Sequence, residues 1–210
     1  YEISCSLVGS EMCIRDSVPT VRNPEYFVDC FNAVQELINR GWVMAGHDIS
    51  AGGLITTLLE MTFANVEGGM KINLHDIADA DIIKTLFAEN PGVVIQVSDA
   101  HKDELKAFFD ENGIGYAKIG YPAPELRKII IKKEGFEHEF DIDALRDDWY
   151  KTSYLLDRKQ SMNGCAKKRF ENYKKQPLEF VFDKSFTGKL SQFDLNPDRR
   201  TPTGIKAAII

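Results

Sequence analysis

Residues 42–63 constrain the fold more than any other part of this sequence. A short apolar run at residues 42–45 leads into the glycine-rich segment GHDISAGG at residues 46–53. Apolar residues then recur at helical spacing through Leu54, Leu58 and Met61, which predicts an amphipathic helix. A strand, a tight turn and a helix in direct succession are the unit from which α/β domains are built. The chain is therefore expected to form a sheet with helices packed on it.

The same alternation continues on both sides of this unit. Asn23 suits a helix cap and Pro24 suits the first helical position, so a helix is predicted over residues 24–41. Apolar spacing and glycine breaks predict further strands at 70–74, 92–97, 116–119, 128–132 and 136–140, with helices at 81–89 and 102–112. We predict an α/β (α+β layered) domain over residues 18–142, a sheet covered by helices.

The two ends of the chain have sequence patterns that differ from that of this domain. Residues 1–17 show neither helical nor alternating periodicity, and residues 6–17 resemble translated sequencing adapter, so the segment is predicted to be non-native and is left out of the fold. Residues 143–204 are predicted to be a linker, helical at 144–161 and 166–175 and extended at 177–203. Residues 205–210, IKAAII, resemble the first parallel strand of a further, truncated domain.

Composition excludes several classes of protein. The formal net charge is −6, with Lys and Arg spread along the chain, so no nucleic-acid partner is expected. No apolar run is long enough for a membrane-spanning helix, and no signal peptide is recognisable, so a cytoplasmic protein is predicted. The four cysteines lack C-x-x-C spacing and are expected to be free thiols.

The segment at residues 46–53 is the best candidate for chemistry. Asp48 leaves the end of a predicted strand, where ligands bind in open α/β sheets, and the following helix offers free N–H groups to an anion. Asp48 is predicted to bind Mg2+, which shares its ligands with water and phosphate. Ser50 is expected to cap the helix or to donate its hydroxyl to a phosphate, and Gly52 and Gly53 allow close backbone approach.

A purely structural interpretation stays open for the same residues. Ser50 then only caps the helix, Gly52 and Gly53 only form a tight turn, and Asp48 only accepts from nearby N–H groups. His47 is interpreted as a packed, hydrogen-bonded histidine. No role is assigned to the remaining histidines, and the acidic cluster near residue 143 is interpreted as a solvated helix start, the residues concerned being His75, His101, His138, Asp141, Asp143, Asp147 and Asp148.

Three stretches carry a resemblance to a known family. GHDISAGGLITTLLEMTFANVEGG at 46–69 is similar to the H-D-x-S-x-G-G-L segment of C-terminal half-domains in the aminoimidazole ribonucleotide synthetase-like superfamily. Within it, NPEYFVDCFNAVQELINRG at 23–41 and LFAENPGVVIQV at 86–97 resemble the second half-domain of large, glutamine-dependent phosphoribosylformylglycinamidine synthases. RRTPTGIKAAII at 199–210 resembles the junction with their glutaminase domain.

This resemblance implies an ATP-dependent carbon–nitrogen ligase of purine biosynthesis, which converts formylglycinamide ribonucleotide to formylglycinamidine ribonucleotide. It implies ATP or ADP and Mg2+ as ligands, with Asp48 as a metal ligand and Ser50, with Gly52 and Gly53, at the nucleotide. The implied partners are parts of the same polypeptide, a preceding synthetase half-domain and a following glutaminase domain. The remaining metal ligands and the glutaminase residues fall outside this sequence, so no catalytic residue is predicted and the chain alone is expected to be inactive.

Two alternatives remain at this point. The chain is either another superfamily member, such as aminoimidazole ribonucleotide synthetase or a selenophosphate synthetase, or a non-catalytic binding or pairing module. The extended tail and IKAAII argue against the first alternative, because those enzymes are expected to end near the half-domain. Replacement of Asp48 by Asn distinguishes the second, because undiminished retention of nucleotide and Mg2+ by the reassembled enzyme would favour a purely structural turn.

Overall fold

The structure is a computed structural model in which the chain divides into two compact units, Tyr1–Lys174 and Lys175–Ile210. The residues that it describes are 2–7, with backbone only, and 21, 23–78, 81–175, 181–194, 196, 198 and 200. Among them, no helix combines the length and the apolar character needed to cross a membrane.

The first unit is built on a seven-stranded mixed sheet. The strands are β1 (Glu2–Leu7), β2 (Val43–Ile49), β3 (Gly69–Asn73), β4 (Gly92–Val97), β5 (Ala117–Ala123), β6 (Lys128–Lys133) and β7 (Phe136–Asp141). Their order is β2-β4-β1-β5-β3-β6-β7. Strands β3 and β6 pair in parallel, and every other neighbouring pair is antiparallel. The predicted α/β layered class is confirmed, with β2 and β7 at the two edges.

Helices cover both faces of this sheet. They are α1 (Pro24–Asn39), α2 (Gly53–Phe63), α3 (Ile82–Phe87), α4 (Lys102–Glu111), α5 (Ile142–Gln160) and α6 (Cys165–Asn172). One core joins α2, α3 and the start of α5 to the sheet and includes Val94 of β4. The other joins α1 and α4 to the sheet and includes Ile95. Adjacent strand residues point to opposite faces, so the two cores lie on opposite sides of β4.

Strand β1 is the main departure from the sequence interpretation. Residues 1–17 are left out of the predicted fold, yet Glu2–Leu7 lie inside the sheet between β4 and β5. The β4 pairing runs from Glu2 opposite Val97 to Leu7 opposite Gly92. The exclusion of residues 2–7 is therefore wrong for the fold. The foreign origin of residues 1–17 and the domain start at residue 18 stay predictions.

Helices α5 and α6 contribute more to the packing of the first unit than a linker is expected to. Ile142 is completely buried and Arg146 is nearly so, and the Trp149 ring lies 5.3 Å from the ring of Phe63 on α2. The guanidinium of Arg146 stands 3.4 Å from the centre of the Tyr173 ring, a close cation–π contact. Both helices belong to the same compact unit as the sheet.

The second unit is described in part. Its only regular element among the described residues is the 3-10 turn Leu190–Phe193, and the rings of Phe182 and Phe186 stack at 4.8 Å. The strand predicted at residues 205–210 lies outside the described residues. The linker and truncated-domain assignments therefore stay predictions.

Asp143 anchors the start of α5. Its carboxylate accepts from Arg127 Nε at 3.0 Å and from the Tyr173 hydroxyl at 2.7 Å, and it pairs with Lys174 Nζ at 2.6 Å. Burial raises the pKa of this carboxyl, but the hydrogen bonds from Lys174, Tyr173 and Arg127 outweigh burial and lower the pKa to about 2. The interpretation as a solvated helix start is wrong for Asp143.

We expect Asp143→Asn to reduce the free energy of unfolding by about 2 kcal/mol at pH 7. The folded-state pKa lies below the ordinary value of 3.8, so the stabilisation is complete above that value and is lost as the pH falls towards 2. Denaturant titrations of both proteins from pH 7 to pH 3 measure the difference, which should narrow below pH 4. Asp148→Asn, at an exposed position of the same helix, is the control. A difference that stays constant with pH would contradict the assignment.

Candidate functional site

The candidate site lies where edge strand β2 leads into α2. The sequence places the strand at residues 42–45, whereas β2 continues to Ile49. Partly buried His47 and exposed Asp48 are therefore its last residues before buried Ile49. They stand opposite Val94 and Val93 of antiparallel β4. The rule for ligands at the ends of parallel strands therefore does not apply to this edge, and a ligand site here depends on the local geometry instead.

The Asp48 side chain lies beside His47, and its Oδ1 is 3.5 Å from His47 Nδ1. The Asp48 side chain is 74% exposed, so its carboxylate is open to solvent and to a cation. Its backbone carbonyl is held in place, because it accepts from the Thr57 hydroxyl of α2 at 3.0 Å. The edge strand therefore presents a largely exposed carboxylate, with Oδ1 3.5 Å from His47 Nδ1, on a fixed peptide.

The turn after β2 is narrow and depends on two glycines. The Gly53 N–H donates to the Ser50 carbonyl at 3.0 Å, and Gly52 and Gly53 have φ angles of +87° and +73°. A β-carbon on Gly53 would lie 2.7 Å from the Leu86 carbonyl oxygen of α3. Gly53 is thus required by the packing of α2 against α3, whatever ligand the turn binds.

A carboxylate already accepts a hydrogen bond from a backbone N–H at the start of α2. Gly52 is the N-cap, without a side-chain cap, and its N–H donates to Glu89 Oε1 at 2.8 Å. Ser50 is exposed and does not cap α2, so of the two roles predicted for Ser50 only the ligand contact stays open. Negative charge is favoured at a helix N-terminus, and a phosphate approaching this end meets the Glu89 carboxylate.

A chain of polar contacts lies behind the strand. His47 Nε2 is 3.2 Å from Glu60 Oε2, and its Nδ1 is 2.7 Å from the Asp48 carbonyl oxygen. Glu60 Oε1 accepts from the Trp149 indole N–H at 2.8 Å. The interpretation of His47 as a packed, hydrogen-bonded histidine is confirmed. Glu60, Trp149 and Glu89 were not predicted, because no motif or periodicity marks them.

The metal prediction rests on Asp48 alone. Among the described residues, no three His, Cys, Asp or Glu side chains converge closely enough to hold a metal ion. A single carboxylate fits Mg2+, which commonly keeps water and phosphate oxygens as its other ligands. The roles of Asp48, Ser50, Gly52 and Gly53 stay predictions.

Other residues considered from the sequence have structural surroundings. His101 stacks on Trp42 with a centroid distance of 5.3 Å, and His138 contacts the ring of Phe140 at 4.7 Å. Cys30 and Cys165 are free thiols; the side chains of the other two cysteines are outside the described part of the chain.

Comparison with known proteins identifies one family. The family model described as "AIR synthase related protein, C-terminal domain" matches residues 6–132. That range contains the β2–α2 turn and ends before α5.

Two curated relatives match over most of this chain. A probable phosphoribosylformylglycinamidine synthase, chloroplastic/mitochondrial, of Arabidopsis thaliana is 36% identical over 174 residues, 80% of this chain. The phosphoribosylformylglycinamidine synthase of Homo sapiens is 30% identical over 151 residues, 70% of this chain. The matched part spans 11% of the length of each relative.

Solved structures share the fold. Thermotoga maritima PurL complexed with ATP superposes with a TM-score of 0.59 and 15% identity, covering 69% of this chain and 25% of that one. PurL complexed with ADP gives a TM-score of 0.56 and 14% identity over the same share of each chain. At this identity the likeness shows the fold alone.

Proposed function

This chain belongs to the family of the AIR synthase related protein C-terminal domain, and from that membership we propose that it is part of a phosphoribosylformylglycinamidine synthase. The names and the 36% and 30% identities of the two relatives support this proposal, as does the resemblance of residues 23–41, 46–69 and 86–97. The chain spans about a tenth of the length of those relatives and so supplies one portion of the enzyme.

The proposed activity of the whole protein is ATP-dependent carbon–nitrogen ligation in purine biosynthesis. Glutamine supplies the nitrogen, and formylglycinamide ribonucleotide becomes formylglycinamidine ribonucleotide. The proposed partners of this portion are the preceding synthetase half-domain and the following glutaminase domain of the same polypeptide. The whole protein is proposed to act in the cytoplasm, although the Arabidopsis relative is named chloroplastic/mitochondrial.

The proposed task of this portion is to hold the phosphates of ATP or ADP. The observation that carries it is the exposure of the Asp48 carboxylate, 74% open to solvent at the end of β2, next to the glycine turn at the start of α2. The PurL structures named as complexes with ATP, ADP and AMPPCP support a nucleotide as the ligand. Mg2+ bound at Asp48 would neutralise phosphate charge beside the Glu89 carboxylate. Ser50 would donate its hydroxyl to a phosphate oxygen.

The purely structural interpretation of the β2–α2 turn is supported by other contacts in the same segment. Gly53 has a packing reason for being glycine, and the Asp48 carbonyl has a structural partner in Thr57. Among the described residues, the Asp48 carboxylate contacts only the neighbouring His47 Nδ1, at 3.5 Å, and the hydroxyl of the exposed residue Ser50 has no hydrogen-bond partner. The proposal is therefore tested at those two side chains rather than at the glycines.

We expect the amide resonances of residues 48–53 to shift when the 15N-labelled chain is titrated with Mg-ADP. Nuclear magnetic resonance suits this test because it detects the weak, millimolar binding expected of half a cleft. Asp48→Asn should raise the Kd for Mg-ADP about tenfold, because it removes the only carboxylate proposed to bind the ion. In the presence of EDTA, where no Mg2+ is available, the Kd for ADP should differ little between Asp48→Asn and the wild-type chain.

Asp103→Asn, at an exposed position on α4, is the matched control for removal of one negative charge. An unchanged Kd in Asp48→Asn would favour the pairing-module alternative. Shifts confined to residues outside 48–53 would place the nucleotide elsewhere on the chain.

A further inference from the structure

Helix α5 lies outside the range matched by the family model, but it contacts α2 inside that range. Trp149 lies beyond residues 6–132, yet its indole N–H donates to Glu60 Oε1 at 2.8 Å. Its ring also packs against Phe63, one turn along α2, at a tilt of 50°. Two different contacts thus fix the position of the indole over α2.

Glu60 connects Trp149 to the candidate site, because it also contacts His47. Its second oxygen, Oε2, lies 3.2 Å from His47 Nε2. The side chains of Glu60 and His47 are 24% and 29% exposed, so water screens this contact less than it screens a contact between fully exposed side chains. A carboxylate held on one oxygen by an indole donor has little freedom to turn away from the imidazole.

His47 completes the connection to the residue proposed to bind Mg2+. Its Nδ1 faces the Asp48 carbonyl oxygen at 2.7 Å, and the Thr57 hydroxyl donates to that same oxygen at 3.0 Å. Two side chains therefore hold the peptide that follows Asp48. Because the backbone is held there, the direction of the Asp48 side chain depends on contacts that begin at α5.

We propose that Trp149 and Glu60 are positioning residues of the nucleotide site, acting through His47 on the Asp48 peptide. The proposal rests on the proposed function for its nucleotide, while the positioning itself is a property of the free chain. A site held in its binding orientation loses less conformational freedom on binding, and its affinity is correspondingly higher.

The exposure of Trp149 supports a role beyond packing. Trp149 is 53% exposed, and an indole near the surface can donate its N–H to water instead of to a protein acceptor. The hydrogen bond to Glu60 is therefore not required to satisfy a buried donor. The hydrogen bond instead orients Glu60, and through it His47 and the Asp48 peptide.

The test uses the full 210-residue chain with Trp149→Phe and Glu60→Gln. Trp149→Phe keeps an aromatic ring over Phe63 and removes the N–H donor, and Glu60→Gln keeps the size of the side chain and removes its charge. Tyr150→Phe on the same helix and Glu134→Gln in the exposed β6–β7 turn are the matched controls. Thermal unfolding midpoints are measured for every variant.

Two readouts separate positioning from a merely structural contact. In the free chain, both variants should shift the amide resonances of Asp48 and Ile49 and speed their hydrogen exchange, while the unfolding midpoint stays within about two degrees of wild type. With Mg-ADP, both should raise the Kd about threefold to tenfold. In wild type, the Trp149 indole resonance should move during the titration with the same Kd as the turn amides.

Unchanged Asp48 and Ile49 amides in both variants would overturn the inference, as would an unchanged Kd. If wild-type chain showed no response to Mg-ADP, the proposed function would fail, and the amide shifts in the free chain would still decide whether α5 positions Asp48. Variants with lowered midpoints but normal Kd would show that Trp149 and Glu60 only stabilise the fold.

Discussion

Removal of residues 1–7 is expected to abolish cooperative folding of the first unit. Strand β1 pairs with β4 along Glu2–Leu7 and with β5 near Cys5, so its loss separates the sheet into two parts. The backbone groups of both neighbours would lose their partners inside the sheet. A domain of this size has a net stability of about 5 to 15 kcal/mol, and the loss of a central strand exceeds what that margin tolerates.

Circular dichroism and urea unfolding of the truncated chain measure this effect. Removal of Tyr1 alone is the control, because it leaves every β1 pair in place. A synthetic peptide of residues 1–7 added in trans should restore part of the sheet signal, as strand addition does in other sheets. A truncated chain with a normal unfolding midpoint would show that residues 2–7 are dispensable, in agreement with the sequence interpretation.

The second large effect is expected from Gly53→Ala, with a loss of about 3 to 5 kcal/mol in the free energy of unfolding. The φ angle of Gly53 is +73°, which costs an alanine roughly 1 to 2 kcal/mol. The new β-carbon would also lie 2.7 Å from both the Leu86 carbonyl oxygen and the Phe87 carbonyl carbon. These are backbone atoms, so relief requires α2 and α3 to move apart.

Gly41→Ala isolates the backbone contribution in this comparison. Gly41 has a φ angle of +70°, and a β-carbon there would meet no atom within 4 Å. Its expected loss is about 1 to 2 kcal/mol, and the excess loss in Gly53→Ala reports the contact with α3. Urea titrations of the two variants provide the comparison. Equal losses would mean that the start of α2 adjusts freely and that Gly53 is required only for its φ angle.

Local signals in the sequence predicted the helices well. Asn23 caps α1 by accepting from the Tyr26 N–H at 3.0 Å, and Pro24 is the first residue of that helix, as predicted. The helix expected at residues 144–161 is α5, Ile142–Gln160. Capping groups and apolar spacing act over a few residues, so the sequence contains the information that decides them.

The arrangement of the strands was beyond the reach of those signals. Strand β1 was missed because residues 1–17 lack periodicity, whereas a strand pairs through its backbone and needs no particular side-chain pattern. The antiparallel pairing of β2 with β4 was not predicted either. It depends on how the chain crosses over between strands, and it means that Asp48 does not lie at the end of a parallel strand.

The sequence by itself determined the α/β class, the approximate positions of the helices and the glycine-rich segment at residues 46–53 that carries the resemblance to the family. The tertiary structure alone decided which groups surround that turn. Glu89 reaches Gly52 across 37 residues, and Trp149 reaches Glu60 across 89 residues. Such hydrogen bonds form only after the sheet has brought α3 and α5 beside α2, and they leave no trace in local spacing or composition.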